Sequence, residues 1–328
     1  MRAFTYHKPA SLDDALAGLS RTDAYPLGGG TDLLPCVEDG LAAPGSVVDL
    51  RGIGGFGDIT VLADGGLRFG ATARVSDIAT HDDVRARYPA LADACASVGT
   101  LALRNMGTIA GNLCQRPRCW YLRRAIPCHK NGGTTCPARE GENQYHAVLD
   151  GGPCYIVHPS DPAVALTALD AEIDVSGQSG TSRVPITQFF VLPRDRMDRE
   201  TVLRDGEIVS AVTIPAEFQA GPASNGQRVT QLYRKITQRS AWDFALVSVA
   251  AARRRDGAVR IVLGGVAPRP WRVSESVEED VASGGLDEDS IAALAQRALY
   301  DAEPLAKNGY KIPLAESLLR EAIRELAA

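Results

Sequence analysis

The sequence predicts an α+β chain in three segments, and three observations carry that prediction. Short Val- and Ile-rich runs alternate with stretches of helical periodicity along most of the chain. A Gly/Ser/Asn-rich break at Ala220-Gly221-Pro222-Ala223-Ser224-Asn225-Gly226 sets off the C-terminal third. A polar, cysteine-rich stretch over residues 115–157 interrupts the middle of the chain. The expected boundaries are a first domain at 1–220, divided into 1–55 and 56–220, and a second at 227–328.

In the first segment Ser11 is placed to cap a short helix over SLDDALAGL, where Asp13 and Asp14 suit the positive end of the helix dipole. Ala24-Tyr25-Pro26-Leu27 then runs into Gly28-Gly29-Gly30-Thr31-Asp32, and a second strand follows at Ser46-Val47-Val48-Asp49-Leu50. This is a small α/β unit with a glycine turn near its centre. The second segment opens with strands at 59–62 and 66–70, joined by the hairpin pair Asp64-Gly65. Helical patterning at 76–104 is interrupted at Pro89. Further strands are expected at 171–175 and 208–214, the latter stopped by Pro215. In the third segment apolar runs at 241–252 and 259–262 precede helical patterns at 288–300 and 313–327.

The charge balance excludes some partners. Among 328 residues, 35 Lys and Arg face 40 Asp and Glu, a net charge of -5. That gives no reason to expect nucleic acid or an anionic membrane. No apolar run approaches the roughly 18–20 residues that span a bilayer, and the first residues lack the apolar core of a secretory signal. The expectation is a cytoplasmic chain with reduced thiols. A periplasmic location stays open, because a folded complex can be exported on a partner's signal.

Two small-residue stretches are candidates for phosphate binding. Gly28, Gly29 and Gly30 bring backbone N–H groups within reach of a pyrophosphate, and the Thr31 hydroxyl adds a donor. A tight turn needing positive φ would use the same residues. Gly107-Thr108-Ile109-Ala110-Gly111-Asn112 is the second stretch. Together they suggest a backbone-lined cleft for an extended, phosphate-bearing ligand. Neither fits G-x-G-x-x-G, and no G-x-x-x-x-G-K-[ST] is present, so a Rossmann nicotinamide site and P-loop chemistry are disfavoured.

Seven cysteines, an odd number, argue against a simple disulfide framework, and five of them fall between 114 and 154. Cys119, Cys128, Cys136 and Cys154 read C-x8-C-x7-C-x17-C. A disulfide cluster is disfavoured in a reducing compartment. Structural zinc usually takes paired C-x2–4-C knuckles, which are missing here. An iron–sulfur cluster held by four cysteines tolerates long loops between its ligands. Arg118, Arg123, Arg124, His129 and Lys130 would offset its negative charge, and Trp120 and Tyr121 would shield it. Unrelated thiols remain the alternative. Cys36 and Cys95 read as buried free cysteines, and Cys114 stands as a fifth candidate ligand. His158-Pro159-Ser160-Asp161 reads by itself as a polar turn, and hydrolytic catalysis has little support.

These motifs resemble a known family. Gly28-Gly29-Gly30-Thr31-Asp32-Leu33 and Thr108-Ile109-Ala110-Gly111-Asn112 are similar to the two FAD-binding stretches of the medium, flavin-carrying subunit of molybdenum hydroxylases. That family includes xanthine dehydrogenase, carbon monoxide dehydrogenase and aldehyde oxidoreductases. The likeness extends into the C-terminal third through Tyr233-Arg234-Lys235, Trp242-Asp243-Phe244-Ala245-Leu246 and Leu263-Gly264-Gly265-Val266-Ala267. The cysteine insert resembles that of the periplasmic aldehyde oxidoreductase and 4-hydroxybenzoyl-CoA reductase branches, where it carries a [4Fe–4S] cluster. The short Cys119–Cys128 interval and the segment from Cys154 to Asp161 look closer to the aldehyde oxidoreductase branch.

The resemblance implies a vanillyl-alcohol-oxidase (PCMH-type) FAD-binding domain of two α/β subdomains, followed by an α+β C-terminal domain. It implies FAD contacts at Leu27, Gly28, Gly29, Gly30, Thr31, Asp32, Leu33, Thr108, Ala110, Gly111, Asn112, Asp161 and Lys235. It implies cluster ligands at Cys119, Cys128, Cys136 and Cys154, and no catalytic acid or base. The implied partners are a small [2Fe–2S] subunit, a large molybdenum-cofactor subunit and an external electron acceptor. The substrate would then be an aldehyde, with a xanthine dehydrogenase-like or 4-hydroxybenzoyl-CoA reductase-like complex as alternatives. A FAD-dependent oxidase working alone is the rival of another class.

Overall fold

The computed structural model describes residues 3–222 and 228–327. Of the expected linker, Ala223-Ser224-Asn225-Gly226 lies outside the described residues. Its flanks, Gly221–Pro222 and Arg228–Val229, pair antiparallel.

The first unit is a three-stranded parallel sheet with Ser46–Asp49 at its centre, between Thr5–His7 and Ala24–Leu27. Helix Leu12–Gly18 connects two of these strands, and the Ser11 hydroxyl caps it by accepting from Asp14 N. Ala15, Leu16 and Leu19 pack on Val48. That small core also takes in Phe56, Ala71 and Ile208 from the next unit, so the two are one packed body. The strand Ala24–Leu27 ends at the glycine turn, and helix Leu33–Glu38 starts beyond it.

The second unit is a five-stranded antiparallel sheet. Its order is Ile59–Val61, Leu67–Gly70, Ile208–Ile214, Glu172–Gly177 and Gly180–Pro185. The helical patterning at 76–104 resolves into four short helices, Val75–Thr80, Asp82–Arg87, Pro89–Ala96 and Leu101–Met106. Pro89 opens the third of them. Proline is tolerated in a first turn and drives the preceding residue out of helix, as at Tyr88.

The third unit is a four-stranded antiparallel sheet, Gln231–Ile236, Val247–Arg253, Val259–Gly264 and Trp271–Arg272. Its register puts Tyr233, Ala250 and Val262 in one row and Leu232, Ala251 and Ile261 in the next. Because side chains alternate faces, the first row enters the core of the second unit. The second row packs under helices Glu275–Ser283, Glu288–Arg297 and Lys311–Ala327. Covered on both faces, Val247–Arg253 is buried along its whole length, which is why apolar residues at Val247, Val249, Ala250, Ala251 and Ala252 fall on both faces rather than alternating.

Helix Asp161–Ala168 lies where the second and third units meet, and all eight of its residues are buried. A helix apolar on every side shows no 3.6-residue stripe, so periodicity carries no sign of it. Its N-cap is Ser160, whose hydroxyl accepts from Ala163 N at 3.0 Å. This placement brings Asp161 to the junction.

Candidate functional site

The two small-residue stretches pack directly against each other. A Cβ added at Gly29 would sit 1.7 Å from Met106 O, and one added at Gly28 would sit 2.5 Å from Thr108 Oγ1. Gly30 has φ 75°, the left-handed region that favours glycine. Space for a ligand is therefore not what forbids a side chain at Gly29. Backbone meeting backbone forbids it. Among the described residues, Gly29, Gly30 and Thr31 donate no backbone hydrogen bond, so their amides are open to an anion. Thr108 caps helix Ile109–Leu113, its hydroxyl accepting from Gly111 N at 3.2 Å. Leu27 is buried at the strand end, whereas Thr31 and Gly111 are exposed.

A cavity of about 100 Å³ lies beside this junction, lined in part by Thr31, Asp32, Gly111, Asn112 and Asp161. A larger one, of about 390 Å³, adjoins it. Both are walled by Arg118, Pro159, Asp161, Asp243 and Phe244, so they form one cleft across the units. Ser160 Oγ donates to Asn112 Oδ1, tying the second stretch to the start of helix Asp161–Ala168.

Asp161 and Lys235 form a buried ion pair in the wall of that cleft. Lys235 Nζ lies 2.8 Å from Asp161 Oδ2, and Tyr233 Oη donates to Oδ1 at 2.7 Å. The same ammonium donates to Ser97 O at 3.2 Å and to Asp243 O at 3.0 Å. Burial pushes the Asp161 carboxyl above its ordinary pKa, against the opposing pull of Lys235. One lysine thus pins three segments around the cleft. Sequence reasoning had only the resemblance for Asp161 and Lys235, because the residues are 74 apart.

The four cysteines line one small cavity, together with Tyr121, His129, Lys130 and His146. Cys119 precedes the short helix Trp120–Arg123, and Cys136 precedes a 3-10 turn at Pro137–Arg139. Among the described residues, no three of His, Cys, Asp and Glu are grouped closely enough to grip a single metal ion. Burial raises the Cys119 thiol. A hydrogen bond shared by Cys136 and Cys154 holds Cys136 down, to about 6, and Cys154 up. Cys114 lies apart from this cavity and packs against the main core, and burial pushes its thiol up to about 12. Cys36 and Cys95 are buried and free.

The flanking cations do not all face the cysteines. Arg118 and Arg123 turn to Asp32, each at 2.8 Å, and Arg116 N donates to the same carboxylate at 2.7 Å. Asp32 therefore anchors the cysteine insert to the glycine turn. Lys130 faces the cavity but is paired with Glu200 at 2.8 Å. Tyr121 shields the cysteines, whereas Trp120 lines the larger cleft. The cysteine cavity and the cleft share the wall formed by Cys119, His146 and Ile156.

The FAD binding domain in molybdopterin dehydrogenase matches residues 2–217, and the CO dehydrogenase flavoprotein C-terminal domain matches residues 232–326. The chain is 36% identical to the aldehyde oxidoreductase FAD-binding subunit PaoB of Escherichia coli K12, over 100% of this chain and 99% of that protein. It is 26% identical to the glyceraldehyde dehydrogenase medium chain of Sulfolobus acidocaldarius, over 99% and 98% of the two chains. A chain of carbon monoxide dehydrogenase from Hydrogenophaga pseudoflava shares the fold, with TM-score 0.75 and 23% identity over 100% and 99% of the two chains. Among the described residues no helix is long and apolar enough to cross a membrane. The chain belongs to the FAD-binding, medium subunits of the molybdenum hydroxylases, the family of aldehyde oxidoreductase and xanthine dehydrogenase.

Proposed function

We propose that this chain is the electron-transfer flavoprotein subunit of a heterotrimeric molybdenum hydroxylase that oxidises aldehydes to carboxylic acids. Its partners on this reading are a small subunit with [2Fe–2S] clusters and a large subunit with the molybdenum cofactor, and an external acceptor takes the electrons away. The 36% identity to an aldehyde oxidoreductase subunit supports the substrate class. A bound FAD supplies a carrier able to take up electrons singly and give up two. The residues of this chain hold and surround it. The open amides of Gly29, Gly30 and Thr31 suit the pyrophosphate. Asp161, fixed by Tyr233 and Lys235, offers carboxylate acceptors to the hydroxyl-bearing linker between phosphate and ring. Phe244, held beneath the Arg118 guanidinium at 5.3 Å, covers the cleft where its two cavities meet.

The observation that carries the reading furthest is the convergence of Cys119, Cys128, Cys136 and Cys154 on one cavity, one wall away from the cleft. The spacings lack the paired C-x2–4-C knuckles that structural zinc usually takes. Four cysteines lining one cavity supply the ligand number of a [4Fe–4S] cluster, and on this reading they are its ligands. The test is the metal and flavin content of the complex purified with its co-expressed partners. One FAD per copy of this chain is expected, with four irons beyond those of the small subunit's [2Fe–2S] clusters, and aldehyde oxidation only when all subunits are present. Cys128→Ser should lose those four irons and keep the FAD. Retention of the irons in that variant would refute the ligand set. Aldehyde turnover by this chain alone would refute the subunit reading.

A further inference from the structure

His146 is the residue that the sequence did not single out and the structure places between the two sites. It is 4% exposed and lines both the cysteine cavity and the cleft. Its Nε2 lies 3.3 Å from Cys119 Sγ. Its ring is walled by Trp120 at 5.8 Å and Tyr121 at 6.2 Å between centroids.

The backbone around it is clamped from the C-terminal unit. Asn308 Nδ2 donates to His146 O at 3.1 Å and to Ala147 O at 3.0 Å. The buried Lys311 Nζ donates to Tyr145 O at 2.9 Å and to Gly265 O at 2.6 Å. His146 N itself donates to Asn143 O at 3.0 Å. A ring held on both sides in this way keeps its orientation without help from a ligand.

The tautomer follows from the two ring nitrogens. Nδ1 is buried and has no hydrogen-bond partner. A proton there would be stranded, and the Nε2 lone pair would then face sulfur. A proton on Nε2 instead finds an acceptor in a Cys119 thiolate, whose sulfur carries the charge.

We propose that His146 is a positioning residue that donates Nε2–H to the Cys119 thiolate and so raises the reduction potential of the cluster held by the four cysteines. This rests on the [4Fe–4S] reading above. The reduced cluster carries one more negative charge than the oxidised one. A fixed donor on a ligand sulfur therefore favours the reduced form, as hydrogen bonds to cluster sulfurs generally do.

The experiment compares His146→Phe with His146→Gln in the complex purified with its partner subunits. Phenylalanine keeps the ring and removes the donor. Glutamine places an amide N–H near the position of Nε2. The readouts are iron and FAD per chain and the midpoint potential of the four-iron centre, from an EPR-monitored redox titration. His146→Phe is expected to keep its iron while the reduced-to-oxidised ratio at a fixed potential falls about tenfold, equivalent to about 59 mV for one electron. His146→Gln is expected to stay close to the parent potential. An unchanged potential in an iron-replete His146→Phe would overturn the inference. So would loss of iron from both variants with FAD retained, which would make His146 a ligand. Absence from the parent complex of four irons beyond those of the [2Fe–2S] subunit would instead overturn the cluster reading beneath it.

Discussion

Lys235→Met tests whether the cleft is held open by one buried ion pair. Methionine keeps most of the volume and removes the ammonium. Asp161 would then retain Tyr233 as its single side-chain donor, in a site where the carboxylate is 5% exposed. Ser97 O and Asp243 O would each lose a donor as well. Removing one partner of a buried pair costs about 3–5 kcal/mol, because the other charge is left uncompensated. For a cooperative unit the size of the FAD-binding domain, that is a fall of roughly 6–20 °C in Tm. The sign of the pH dependence follows from Asp161. Burial already raises its pKa, and without Lys235 the pKa rises further. The folded variant then holds a proton that the unfolded chain releases. Its deficit is therefore largest at high pH and shrinks as pH falls towards the unfolded carboxyl value of about 3.9. Thermal melts of parent, Lys235→Met and Lys235→Met/Asp161→Asn from pH 5 to 8 measure this. The double variant should recover most of the loss, since no buried charge remains unpaired. A single variant within about 1 kcal/mol of the parent, or a double variant worse than the single, would refute the reasoning.

Two further predictions concern packing and protons. Gly29→Val should lose FAD and also destabilise the apoprotein, because its Cβ collides with Met106 O rather than only with a ligand. Loss of flavin with an unchanged apoprotein melt would show that the backbone contact is not the cause. His158 is buried beside Leu113 O and against Phe190 at 4.5 Å, and burial lowers its pKa to about 4. The unfolded chain takes up this proton near pH 6.5 and the folded one does not, so stability is present above that pH and is lost as pH falls towards 4. The contribution is about 3 kcal/mol at most. His158→Gln should flatten that part of the stability–pH curve measured by urea denaturation, and an unchanged slope would count against it.

What the sequence made legible follows from periodicity and local chemistry. The Ser11 cap, the Asp64-Gly65 hairpin and the helix Lys311–Ala327 all depend on neighbours within a few residues. The helix Asp161–Ala168 leaves no such trace, because complete burial removes the amphipathic stripe. Arg118 and Arg123 were assigned to the cysteines because they are near them in the chain. The structure gives them to Asp32, more than eighty residues away, since a partly buried carboxylate collects cations from whatever element lies opposite it. His146 carried no signal at all. It stands eight residues before Cys154, at no recognisable spacing, and its role exists only because the third unit fixes its backbone.

That last point bears on why the insert sits where it does. On the proposed reading the insert carries a cluster; such a loop would be expected to hang from the surface, yet this one is fastened at both ends of the cleft. Asp32 takes its arginines on the glycine-turn side. On the other side Val148 N and Leu149 N donate to Val266 O, and Asn143 Oδ1 accepts from Lys307 N at 2.9 Å. The insert therefore spans the first and third units, and its shared wall with the cleft is made rigid from both. A loop ordered only by its metal would leave that wall free to move when the metal is absent. With these anchors the wall is part of the protein's own packing, so loss of the metal should leave flavin binding intact. The selective loss of iron expected for Cys128→Ser is thus a consequence of how the insert is tied down, as much as of which residues it carries.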